Sequence, residues 1–168
     1  IIDVGTGTGC LLLALLHALP NATGVGVDLP PVIGLAAENA SLLGLSGRAR
    51  FVAAEALGDV LPADLVIANL PYIPSADIAT LDPDVALYEP RTALDGGPDG
   101  LEAFRMLAPR LPGLLCPGGD ACLDVGAGQA GAVEALFATV PGLEIAARVQ
   151  DLAGIDRVVC VRRCPARG

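Results

Sequence analysis

The chain has 168 residues, 53% of them hydrophobic and 17% charged, and carries a formal net charge of −9 with arginine as its only strongly basic residue type. That balance excludes a disordered chain, and the negative charge without lysine argues against direct nucleic-acid binding, which requires a basic patch. No apolar run reaches the roughly eighteen residues of a bilayer crossing, so no membrane association is expected.

The elements follow in regular order. "IIDV" predicts a short strand, "GTGTG" a loop, and Cys10 to about Leu19 a buried helix that Pro20 closes. "TGVGVDL" reads as a second strand and "PPVIGLAAENASLLG" as a second helix with proline in its first turn. "RARFVAA" and "ADLVIAN" are strands three and four. About thirty residues rich in Pro, Asp and Gly follow, from Leu70 to Gly100, and a loop of that length in a compact domain is usually functional. A helix from Leu101 to Leu111, the strand "GGDACLDVG", a helix from Ala130 to Val140, and the strands "LEIAARVQ" and "DRVVCVRR" complete the chain. Strands alternating with helices predict a parallel sheet covered on both faces. The last two strands lack a helix between them and predict an antiparallel hairpin at one edge.

The length fits one domain over residues 1–168. Because the chain opens at Ile1 inside a strand, a domain cut from a longer protein is expected. Five cysteines (Cys10, Cys116, Cys122, Cys160 and Cys164) form no CxxC pair, and a single histidine offers no zinc set, so no metal is expected. An odd cysteine count with no export signal fits reduced thiols in the cytoplasm, most of them small core residues. The basic run "RVVCVRRCPAR" is read as a solvated strand end and tail.

Chemistry concentrates at two places. In "DVGTGTG" (Asp3–Gly9) glycines allow a sharp turn and a close approach to a ligand at a helix start. Asp28 ends the second strand nineteen residues after Gly9, where a carboxylate can accept hydrogen bonds from ribose hydroxyls. A dinucleotide loop of GxGxxG type would place glycine where Cys10 stands. Gly5, Gly7 and Gly9 behind Asp3 suit an amino-acid-bearing nucleoside better, so S-adenosylmethionine is favoured over NAD. Glu55, after the third strand, could meet an adenine amino group.

The second place is "NLPY" (Asn69–Tyr72) at the end of the fourth strand, beside that loop. An amide or exocyclic amine is a poor nucleophile because its lone pair is delocalised. The Asn69 side-chain carbonyl and the Leu70 backbone carbonyl can both accept from one NH₂ group and turn its lone pair toward a methyl donor. Pro71 stiffens the turn, and Tyr72 offers a flat face.

"DVGTGTGCLLLAL", "GVDLPPVIGLAAENA", "NLPYIPS", "YEPRTALDGGPDGLEAFR" and "DVGAGQA" together resemble the release factor glutamine N5-methyltransferases, once named HemK proteins, over essentially the whole chain. The NxPY motif is shared with DNA adenine and some rRNA methyltransferases, whereas the EPRxALDGGxDGL block is typical of this family. The resemblance implies a Rossmann-like class I methyltransferase: a seven-stranded, mostly parallel sheet with an antiparallel terminal hairpin. It implies methyl transfer from S-adenosylmethionine to the glutamine of the GGQ motif of peptide chain release factors. Asp3, Gly5, Thr6, Gly7, Thr8, Gly9 and Asp28 would bind the cofactor, with Glu55, Ala56 and Asn69 also beside it. Asn69, Leu70, Pro71 and Tyr72 would hold the glutamine amide. Glu89, Pro90 and Arg91 with the Asp95–Gly97 turn would shape the pocket wall. Leu70 stands where the family commonly has proline, which leaves the backbone carbonyl in place. The family's N-terminal helical domain has no counterpart in these 168 residues.

Overall fold

The computed structural model describes residues 1–165, apart from the side chains of Ala56 and Ala86; Arg167 of the basic run lies outside the described residues. Seven strands form one sheet: β1 (Ile2–Val4), β2 (Gly24–Asp28), β3 (Ala49–Ala53), β4 (Ala63–Ala68), β5 (Leu115–Asp124), β6 (Leu143–Gln150) and β7 (Asp156–Arg163). Their order is β3-β2-β1-β4-β5-β7-β6. The first five run parallel, while β7 pairs antiparallel with both β5 and β6. The hairpin therefore occupies one edge, as its missing crossover helix predicts.

Helices α1 (Cys10–Ala18) and α2 (Pro30–Leu42) cover β1, β2 and β3. Leu12, Leu13, Leu16, Ala40 and Leu45 form the apolar cluster there. The larger cluster sets Phe104, Leu111, Val133 and Phe137 against Val66, Ala121, Leu123 and Val159. The apolar residues of β4, β5 and β7 that join it recur at every second position, the period of a strand face. No helix among the described residues is long and apolar enough to cross a membrane.

The segment after β4 is not the open loop its composition suggests. It holds a 3₁₀ turn (Ile78–Thr80) and two short helices, α3 (Pro83–Tyr88) and α4 (Arg91–Leu94). The single helix expected over 101–111 is two: α5 (Glu102–Leu107) and α6 (Leu111–Leu114). Pro109 and Pro112 account for the break, since a proline cannot donate the hydrogen bond of a helix interior. Helix α7 (Ala130–Ala138) completes the set. None of the five cysteines is buried: Cys10 is exposed and the others are half-buried, contrary to the expectation of core thiols. In the basic run, Arg157, Arg162 and Arg163 each donate to an acceptor within the fold, so these three are tied down.

Because β2 and β4 flank β1 on opposite sides, the chain reverses direction across the sheet between β1 and β4. Parallel α/β sheets bind ligands beyond the carboxyl ends of their strands at such a point.

Candidate active site

The loop leaving β1 turns by three glycines with positive φ: Gly5 (75°), Gly7 (55°) and Gly9 (81°). Its amides are largely engaged by the protein itself. The N–H groups of Gly5 and Thr6 both donate to the Val27 carbonyl (2.8 and 3.1 Å), and Gly9 N–H donates to the Thr6 carbonyl (2.8 Å). Gly7 N–H donates to Asp28 Oδ2 and Leu29 N–H to Asp28 Oδ1, each at 2.7 Å. Asp28 thus locks the loop onto the end of β2. Each of its oxygens keeps a free lone pair for an outside donor. The Thr8 carbonyl accepts from Asn39 Nδ2 at 2.9 Å, which ties the loop to α2. The amides of Gly5, Thr6, Gly7 and Gly9 are thus already engaged within the protein.

Asp3 lies beneath this loop, 1% exposed. Its Oδ2 accepts from the Thr6 hydroxyl at 2.7 Å, while its Oδ1 is buried without a hydrogen-bond partner among the described residues. Burial pushes its pKa up to about 6 against the pull of the Thr6 bond, and the nearby Asp28 charge adds to the rise. A buried carboxylate oxygen without a donor is costly.

The end of β4 meets the loop directly. A Cβ on Gly5 would stand 3.4 Å from the Asn69 carbonyl oxygen and 3.4 Å from Leu70 Cδ2. Asn69 is exposed, Leu70 buried, and Pro71 and Tyr72 half-buried. The Leu70 side chain belongs to the larger core cluster, which anchors the turn that proline would otherwise stiffen.

Residues 94–102 wrap this turn. Ile73 N–H donates to the Leu94 carbonyl (3.0 Å), Gly96 N–H to the Ile73 carbonyl (2.9 Å) and Ser75 N–H to the Gly97 carbonyl (2.9 Å). Asp95 Oδ1 accepts from Ser75 Oγ at 2.5 Å and from Gly97 N–H at 3.0 Å, while Arg91 Nε donates to its Oδ2 at 3.0 Å. The Ser75 and Gly97 bonds, then Arg91, hold the Asp95 carboxyl below its ordinary value. Gly96 is there for space: a Cβ would lie 2.8 Å from the Pro71 carbonyl oxygen and 2.8 Å from Tyr72 Cα.

Two contacts on Tyr72 have no counterpart in the sequence reading. Gln129 Nε2 donates to the Tyr72 carbonyl at 2.8 Å, while its Oε1 accepts from Gly126 N–H at 2.9 Å. Arg157 Nη2 donates to the Tyr72 hydroxyl at 3.1 Å. Nothing local in the sequence signals either one, because they lie 57 and 85 residues away.

A cleft of ≈ 250 Å³ opens between these parts, lined in part by Gly5, Asp28, Leu29, Leu57, Leu70 and Pro71. It shares Leu29, Pro71, Thr92, Ala103 and Met106 with an adjoining recess of ≈ 580 Å³ that includes Arg91, Asp95 and Gly97. The expected residues thus come together in part. Thr6, Gly7, Thr8 and Gly9 build the loop behind the cleft, and Asn69 and Tyr72 lie beside Pro71 and Leu70 without lining it. Glu55 is exposed in the 3₁₀ turn Ala54–Asp59, beyond β3, and the Ala56 side chain lies outside the described residues. Glu89 and Pro90 line neither recess. A larger hollow of ≈ 620 Å³ sits among Ile1, Thr23, Gly24, Arg48 and Asp64, away from every expected residue.

The cleft offers a carboxylate at a strand end and an apolar slot, with the β4 end and its carbonyls beside it, while the buried Asp3 lies behind the loop and lines neither recess. Those features suit a ligand with a diol and a flat ring.

No protein-family model matches the chain. It is 47% identical over 97% of its length to a release factor glutamine methyltransferase of Rhodospirillum rubrum, covering 50% of that protein. Against the proteins of that name from Bradyrhizobium diazoefficiens and Geobacter sulfurreducens it is 44% identical in each case, covering 98% and 95% of its own length and 56% of theirs. The chain spans about half the length of the curated relatives it matches. Among solved structures it resembles a ribosomal protein L11 methylase of Lactobacillus delbrueckii subsp. bulgaricus (TM-score 0.69, 22% identity, 97% of this chain and 69% of that one). It also resembles TrmN of Thermus thermophilus (TM-score 0.65, 22% identity, 96% of this chain and 43% of that one). The fold is that of the class I methyltransferases.

Proposed function

We propose that this chain, as one domain, is the methyl-transferring part of a release factor glutamine methyltransferase, acting in the cytoplasm on the side-chain amide of a release factor glutamine. The observation that supports this reading is the closeness of the Gly5 turn to the end of β4, where a Cβ built on Gly5 would stand 3.4 Å from the Asn69 backbone carbonyl oxygen.

The residues present fit S-adenosylmethionine. Asp3 Oδ1 is an orphan acceptor suited to an ammonium, Asp28 retains lone pairs for ribose hydroxyls, and Leu29 and Leu57 offer apolar walls for a purine. Glu55, exposed in the turn beyond β3, would meet the adenine amino group. When bound, the cofactor supplies an electrophilic methyl group. Everything else is the work of this chain.

Asn69 Oδ1 and the Leu70 carbonyl each accept one N–H of the glutamine amide. So held, the nitrogen lone pair would be turned out of conjugation toward a bound methyl donor, and the pyramidal geometry needed on attack would be favoured. Both acceptors also stabilise the positive charge that grows on nitrogen. The nitrogen is strongly acidic once methylated, so its proton leaves to water and no strong base is needed. Tyr72 walls the acceptor plane, and Arg91 with Asp95–Gly97 borders the recess that receives the flanking residues of the substrate. The net charge of −9 favours a protein over a nucleic-acid acceptor.

The test is to incubate the protein with methyl-labelled S-adenosylmethionine, a release factor and, separately, DNA or rRNA. Peptide mapping is expected to find the label on the release factor glutamine. Label on the nucleic acid alone would overturn the reading.

A further inference from the structure

β7 runs antiparallel to its neighbours, so its first residues arrive at the carboxyl edge of the sheet, where the cleft lies. Val125 N–H donates to the Arg157 carbonyl at 2.9 Å and pins that residue beside the end of β5. From there the guanidinium crosses to the shelf. Nη2 donates to the Tyr72 hydroxyl, and Cζ stands 5.7 Å from the ring centroid, within cation–π range. The same nitrogen lies 3.6 Å from Asp124 Oδ2, which balances the charge.

Gln129 and Gly96 hold Tyr72 through its backbone, and its side chain packs against the edge of the larger core cluster, which leaves the hydroxyl end to Arg157. Gln129 binds its carbonyl, and Gly96 packs against its Cα. Gly126 lies under one edge of the ring and, lacking a side chain, offers it no grip: a Cβ there would be 3.1 Å from Tyr72 Cδ2. Among the described residues, Arg157 is the hydrogen-bond partner of the hydroxyl and a cation beside the ring.

We propose that Arg157 is a positioning residue for methyl transfer: it holds the Tyr72 ring in one orientation, so that the ring is a ready-made wall for the planar acceptor group. The proposal rests on the function inferred above. A pre-set wall lowers the cost of ordering the acceptor, so its loss falls on substrate binding and leaves cofactor binding untouched.

The chain has two tyrosines and no tryptophan. Tyr88 is 80% exposed on α3 and removed from these contacts, so Tyr88→Phe leaves Tyr72 as the sole phenol. In that background the near-ultraviolet circular dichroism of Tyr72 is expected to collapse in Arg157→Met and to survive in part in Arg157→Lys, which keeps a cation and a donor. Thermal melting identifies variants that fold. Kinetically, Arg157→Met is expected to raise KM for the release factor about tenfold with kcat and S-adenosylmethionine affinity little changed. Combined with Tyr72→Phe, the same change should cost less than about twofold, because the hydroxyl is the shared contact. An unaltered Tyr72 signal in Arg157→Met, or a full tenfold loss persisting in Tyr72→Phe, would overturn the proposal. Collapse of the signal in a protein that labels no release factor counts against the proposed substrate and upholds the grip of Arg157 on the ring.

Discussion

The glycine loop Asp3–Gly9 is held by the strand beside it, through Val27, Asp28 and its own Thr6 carbonyl. The Asn69–Ser75 shelf is held from farther away: by 94–102 on one side, by Gln129 below and by Arg157 from the last strand. One half of the cleft is a tight glycine turn bonded to the adjoining strand and to α2. The other is a tertiary assembly in which each support comes from a different stretch of chain. The first should tolerate damage elsewhere in the molecule, while the second should fail whenever any support is moved.

The largest expected effect breaks the shelf. Gly96→Ala places a methyl group against the Pro71 carbonyl and the backbone of Tyr72, Gly100 and their surroundings, all too rigid to yield. We expect a loss of roughly 2–3 kcal/mol in denaturant unfolding, and greatly weakened methyl transfer even where the protein folds. The comparison is damaged if Gly96→Ala is neutral.

Asp28→Ala strikes the loop instead. It removes the acceptors of Gly7 and Leu29 N–H, and a loss of about 1–2 kcal/mol is expected with cofactor affinity down roughly tenfold. Calorimetry with S-adenosylmethionine measures it. Glutamine-substrate KM should stay near its wild-type value, since the shelf has other supports.

The smallest effect is a pH dependence from Asp3. Its pKa rises from 3.8 to about 6 on folding, so the folded chain binds the proton more tightly than the unfolded one. Stability from this group is therefore full below about pH 4 and is lost as pH rises through about 6. Asp3→Asn should flatten that part of the stability profile. A profile that keeps its slope in Asp3→Asn would assign the slope elsewhere. Since the ionised form is the one that pairs with an ammonium, S-adenosylmethionine should bind more weakly below about pH 6.

The same contrast explains what was legible in the sequence. The strands and covering helices declare themselves by period and punctuation, and β5 to β7 reveal the hairpin by the absence of a crossover helix. Gly5, Gly7 and Gly9 are readable because a tight turn needs their positive φ, and Asp28 because it ends the strand beside them. Leu70–Gly100 reads as loop because α3 and α4 are too short for a periodic signal and are stabilised by the turns they cover. The engagement of the loop amides could not be read, since it depends on the Val27 carbonyl one strand away. Burial of Asp3 and the half-exposure of Cys122 and Cys160 are decided by which sheet face helices cover. Gln129 and Arg157 reach Tyr72 only through topology.

The division of labour itself is tested most directly at Asn69, which is exposed at the shelf and makes no side-chain bond to the loop among the described contacts. In Asn69→Ala, titration calorimetry should give S-adenosylmethionine affinity within about twofold of wild type, while single-turnover methyl transfer to release factor falls roughly a hundred- to a thousandfold. Turnover that survives, or cofactor affinity that collapses in step with it, would contradict the account.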